Sequence, residues 1–149
     1  MEFREIDKYN YWDCIELTID DNQEGFVADN KQSLVEAAYE DGLYTLGIYL
    51  EETMIGFILY NYDETFPGWS MSRFMIGKQF QGKGYGKKLM EYWESDMKSQ
   101  GYGMLLTSTQ VDEEAQHFYR KLGYKDCGGF VVDIPKYEQP MEMFLIKAI

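Results

Sequence analysis

Cysteine is almost missing from this sequence: Cys14 and Cys127 are the only two among 149 residues. They have neither metal-ligand spacing nor the pattern of a disulfide framework. Both are expected to be reduced, buried small hydrophobes, and no metal is expected. His117 is the lone histidine. It falls one residue off an apolar stripe and is expected to be solvated. No apolar run approaches the ~18 residues that a membrane span needs, and Met1–Glu5 lacks the basic-then-apolar pattern of a signal peptide. A cytoplasmic location is therefore expected.

Basic residues are scarce in one half only. Residues 1–72 carry 16 acids against three bases, Arg4, Lys8 and Lys31, whereas residues 73–149 carry 10 acids and 11 bases. The net charge is −12. An acidic half repels a phosphate backbone, which argues against nucleic acid, and it favours a cation. Within Thr65–Met90 there is no acid but there are five bases: Arg73, Lys78, Lys83, Lys87 and Lys88. That window favours an anion. The sequence holds no repeats or low-complexity tracts, and its length suits one domain over residues 1–149.

Phe3–Ile6 reads as a strand and Tyr9–Thr18 as a helix with Tyr11 or Trp12, Ile15 and Ile19 on one face. Asn30 is placed to cap a helix that Gly42 ends. Leu43–Leu50 and Met54–Tyr62 form a predicted hairpin around Glu51-Glu52-Thr53, and Trp69–Ile76 a fourth strand with Met71, Arg73 and Met75 opposite Ser70, Ser72, Phe74 and Ile76. Leu89, Trp93 and Met97 recur every four residues along a helix ending at Gly101. A strand over Met104–Ser108, a helix from Asp112 to Leu122, and strands near Tyr124–Val132 and Met141–Ile146 follow. The expected fold is α/β (α+β), a mixed, mostly antiparallel sheet of six to seven strands with about four helices. The segment holding Tyr137, Met141, Met143 and Phe144 is expected at the sheet edge, where it could pair with a second subunit.

Gln81-Gly82-Lys83-Gly84-Tyr85-Gly86 lies between a strand and a helix, where unpaired amides and the helix dipole make an anion site. Alternate glycines admit positive φ and close approach. A dinucleotide fingerprint fails because Lys87 stands where the third glycine belongs. A P-loop fails because Gly84 follows Lys83 and has no hydroxyl for magnesium. The pattern Q/R-x-x-G-x-G/A fits Gln81, Gly84 and Gly86. Downstream, Asp112, Ala115, Tyr119, Gly123 and Tyr124 match N-x-x-A-x-x-x-Y-x-x-x-G-F/Y with Asp for Asn. Together the two segments resemble the GNAT superfamily of N-acetyltransferases, most strongly over residues 43–125. Gln23–Ala37 looks like the start of bacterial spermine/spermidine acetyltransferases.

The resemblance implies acetyl-CoA as cosubstrate, with its pyrophosphate on the amides of Gln81, Gly82, Lys83, Gly84, Tyr85 and Gly86. It implies that Phe74, Met75 and Ile76 run beside the pantetheine arm, with the Ile76 N–H as the expected oxyanion donor. Tyr119 matches the general acid that protonates the departing thiolate, although Phe118, Tyr119 and Leu122 could also simply pack as a helix face. Asp112 takes the place of an asparagine that contacts pantetheine, and as a helix cap Asp serves equally well. Family members often carry an acid on the fourth strand, but Trp69–Ile76 has none. Asp21, Glu24, Asp63 and Glu64 are the alternatives for a base, with Glu24 chosen, and Asp21, Glu24 and Glu64 are expected near the amine. The expected reaction is acetylation of a primary amine, foremost a polyamine. Open alternatives are an aminoglycoside-like amine, a protein N-terminus, or a CoA-binding module without catalysis. A homodimer is implied by the resemblance.

Overall fold

A computed structural model describes residues 1–19, 30–64, 68–110, 113–130 and 142–149. Its strands are β1 (Glu2–Glu5), β2 (Tyr44–Leu50), β3 (Thr53–Asp63), β4 (Gly68–Ile76), β5 (Met104–Gln110), β6 (Lys125–Phe130) and β7 (Glu142–Ala148). The helices are α1 (Tyr11–Glu16), α2 (Asn30–Tyr39), α3 (Tyr85–Ser99) and α4 (Ala115–Lys121). The strands form one sheet in the order β1-β2-β3-β4-β5-β7-β6, antiparallel throughout except for β4 with β5. Among the described residues no helix is long and apolar enough to cross a membrane.

Two apolar layers flank this sheet. On one face Leu89, Met90, Trp93 and Met97 of α3 are buried against Ile48, Ile58, Met71, Leu105 and Leu145. The four-residue spacing predicted this stripe, and each such side chain contributes about 1.5–3 kcal/mol on burial. On the other face Cys14, Phe57, Leu59 and Met75 pack with Leu17, Leu34 and Ala37. Burial pushes the Cys14 thiol up to about 12, as suits an inert core cysteine. Cys127 departs from expectation and is only half-buried.

Four local expectations are corrected. Helix α1 stops at Glu16, so it buries Cys14 while Tyr11 and Trp12 stay exposed. Asn30 is a buried donor: its Nδ2 gives a hydrogen bond to the Cys14 carbonyl at 2.7 Å, tying α2 to α1. The last strand, β7, lies between β5 and β6, so Met143 and Phe144 are interior to the sheet and β6 is the edge. Tyr137 and Met141 lie outside the described residues. In β4 the pairing shifts between Leu59↔Arg73 and Tyr60↔Met71, leaving Ser72 as a bulge. A bulge resets the alternation of faces. Met71 therefore joins Phe74 and Ile76 on the α3 face, while Met75 packs on the α1/α2 face.

Candidate active site

The bulge at Ser72 sits where the sheet opens. Strand β4 pairs with β5 only over Trp69–Met71, opposite Leu105–Thr107. Beyond it, Arg73–Ile76 stays with β3 while Ser108–Gln110 stays with β7. A bulge bends its strand and increases local twist, which is the physical cause of the divergence. The Thr107 Oγ1 donates to the Met71 carbonyl at 3.2 Å across the vertex.

One edge of the cleft is backbone. The Gly77 N–H donates to the Ile55 carbonyl at 2.9 Å, which fixes the hydrogen-bonded pairs on the β3 side. Counting back by the antiparallel alternation, the Phe74 and Ile76 amides turn away from β3 and into the cleft. The Ile76 carbonyl is occupied by Gln81, whose Nε2 donates to it at 2.8 Å. Gln81 thus fastens the glycine loop to the strand end.

At the mouth stands the loop itself. Gly82 and Gly84 have φ of 72° and 79°, the left-handed region in which a side chain is strained. Gly84 precedes α3, and among the described residues no side chain caps that helix or places an acid in its first turn. Its first amides are left for an anion. A Cβ on Gly86 would touch Phe118 at 3.5 Å and Phe74 at 3.7 Å. Phe74 of β4 and Phe118 of α4 stack at 6.2 Å, so α4 leans over β4 at this point. Tyr85 is half-buried as the first residue of α3. Lys83, Lys87 and Lys88 are exposed, whereas Arg73 turns to the α1/α2 face. There its Nη1 meets Glu36 Oε2 at 2.5 Å and Ser33 Oγ at 3.3 Å, so its charge is not part of the anion site.

Tyr119 is buried at the vertex, with its hydroxyl hydrogen-bonded to Thr107 and its ring against Phe118 and Tyr124. Burial pushes the phenol up to about 12, the Thr107 contact works against that, and the Glu113 charge adds to it. A phenol so placed keeps its proton at neutral pH.

Other candidates lie elsewhere. Asp63 and Glu64 end β3 opposite the start of β4, because Asp63 pairs with Gly68 and Gly56 with Ile76. Eight residues of strand, roughly 26 Å, separate that end from Ile76, so Glu64 and Asp63 stand apart from the loop end of the cleft. His117 is exposed beside Glu114 at 3.9 Å, as expected. Asp21, Glu24 and Asp112 lie outside the described residues. Sequence reasoning missed Ser72, Thr107 and Glu36. The one available signal was Thr107, a polar residue closing the buried run Leu105-Leu106.

Comparison with known proteins gives a family and a fold. The model of the acetyltransferase (GNAT) family matches residues 8–124. A protein of Bacillus subtilis subsp. natto named probable spermine N(1)-acetyltransferase is 32% identical over 84 residues, 52% of this chain and 55% of that one. The chain thus matches about half the length of such curated relatives. Among solved structures, the ribosomal-protein-S18-alanine N-acetyltransferase of Escherichia coli superposes with a TM-score of 0.72 at 11% identity, covering 99% of this chain and 93% of that one. An aminoglycoside 6'-N-acetyltransferase complexed with coenzyme A gives 0.67 at 16% identity, covering 99% and 97%. Likeness at such identities speaks to the fold alone.

Proposed function

This chain belongs to the acetyltransferase (GNAT) family, and from that premise we propose that it transfers an acetyl group from acetyl-CoA to a primary amine, foremost a polyamine. The observation that carries the reading is the cleft between β4 and β5, with the uncapped α3 terminus at its mouth and the Tyr119 hydroxyl at its vertex. Amides from Gln81 to Gly86 hold the pyrophosphate, and the strand edge of Phe74, Met75 and Ile76 receives the pantetheine arm.

The amine attacks the thioester carbonyl as a neutral nucleophile. A backbone amide of β4 stabilises the developing oxyanion, worth roughly 10²–10³ in rate. Phe74 suits this better than the expected Ile76. Tyr119 reaches the level of Thr107, which adjoins Met71, and its proton must arrive at the same thioester. Ile76 lies two residues further from that level and serves the arm instead. As the carbon–sulfur bond breaks, Tyr119 gives its proton to the thiolate, and the amide nitrogen loses its own to solvent or a carboxylate. Asp21 and Glu24 remain proposed for the amine, and Asp112 for the arm. The same reading includes a cytoplasmic homodimer, whose stoichiometry light scattering would measure.

The polyamine choice draws on the acidic first half and on the name of the Bacillus relative. A steady-state screen of amines with acetyl-CoA tests it. Turnover of spermine or spermidine supports it. Turnover of another amine with neither of these would remove the polyamine and keep the chemistry.

A further inference from the structure

Strand β4 carries no acid of its own, but its Arg73 holds one from α2. Arg73 projects from β4 one residue beyond the bulge, on the face opposite Tyr119, and holds Glu36 through Nη1 to Oε2 at 2.5 Å. Gln32 Nε2 holds Oε1 at 2.8 Å, and Ser33 Oγ completes the contact with Arg73 at 3.3 Å. The Glu36 and Arg73 side chains keep 26% and 23% of their surface exposed, so the carboxylate is held by its neighbours and still reaches solvent. Each carboxylate oxygen has a second lone-pair direction for a further donor. Burial alone would raise the Glu36 carboxyl, but the hydrogen bonds from Arg73 and Gln32 and the Arg73 charge hold it below the usual range. It is therefore anionic wherever an alkylamine is cationic.

A full arginine side chain separates this carboxylate from the β4 backbone. That is too far to touch a nitrogen attacking a carbonyl held at the Phe74 amide. It is the right place for a second positive centre a few methylene groups from the reacting one. We infer that Glu36 is a specificity-determining residue that binds the distal ammonium of a di- or polyamine, with Arg73 as the residue that positions it. The inference rests on the acetyltransferase reading and adds the acceptor's charge spacing to it.

The test compares butane-1,4-diamine with butylamine, at fixed acetyl-CoA, for the native chain, Glu36→Gln and Glu36→Asp. The native chain is expected to prefer the diamine by about tenfold or more in kcat/KM. In Glu36→Gln that preference falls to about twofold or less, mainly through KM for the diamine, while KM for acetyl-CoA reports an intact donor site. Glu36→Asp keeps most of the preference. A loss shared equally by both amines would make the ion pair only a latch between α2 and β4 and would overturn the inference, as would a preference that survives in Glu36→Gln or is absent from the native chain. Failure of the native chain to acetylate any amine would instead bring down the acetyltransferase reading, and the anchor with it.

Discussion

Tyr119 carries two separable consequences. Replacing it with Phe removes the proton donor but keeps the ring between Phe118 and Tyr124. Turnover should fall by about 10²–10⁴ while CoA affinity, measured by calorimetry, changes less than about threefold. Unaltered turnover would sink the acid role. Its displaced titration also predicts alkaline instability. The folded phenol titrates near 12 against 10 unfolded, so its stabilising effect is complete below pH 10 and is lost as pH rises through 12. At about 1.4 kcal/mol per unit, that is roughly 2–3 kcal/mol. Cys14, raised from 9 to about 12, acts in the same direction from pH 9 upward. Urea midpoints should decline above pH 9, and Tyr119→Phe should flatten the part above pH 10. The spacing around Tyr119 made it legible in the sequence. Thr107 showed only as a polar residue ending an apolar run and Glu36 not at all, because each matters through a partner distant in the chain, Tyr119 and Arg73.

At the scale of elements, β4 decides what the site can be. The bulge at Ser72 frees its last residues from β5 and directs the Phe74 and Ile76 amides into the cleft. The neighbouring strand must therefore press closely on the other side. A Cβ on Gly56 would stand 2.6 Å from the Met75 carbonyl, a backbone atom that cannot swing aside. Gly56→Ala is thus expected to cost about 2–4 kcal/mol and to lower the melting temperature by about 5–10 °C, read by calorimetry or circular dichroism. A melting temperature unchanged within a degree would contradict the register. Alternation alone placed Met71, Arg73 and Met75 on one face, and the bulge puts Met71 on the other. Nothing in Trp69–Ile76 announces a bulge, since any residue can occupy it once two partners oppose it unequally.

Across the whole molecule, charge is distributed unevenly along the chain. The described acids of residues 1–72 lie in β1–β3, α1, α2 and the turns beside them, and the acid-free window runs into α3 as far as Met90. A cationic acceptor and an anionic donor would thus meet favourable fields on different sides of β4. Raising salt from about 0.02 M to 0.5 M should lower kcat/KM for a polyamine several-fold more than for a monoamine, because long-range attraction is screened. Equal salt dependence would argue against steering by the acidic half. The sequence by itself determined the order of strands and helices, the α3 stripe, the glycine loop and Tyr119, because each depends on local spacing or on glycine's freedom in φ. Only the tertiary structure decided that β7 is interior, that β4 leaves β5 at Ser72, that the Phe74 and Ile76 amides turn away from β3, and that Glu36 meets Arg73. These depend on which strands pair, in what register and with which neighbours, and pairing between distant segments leaves no periodic trace in the chain that forms it.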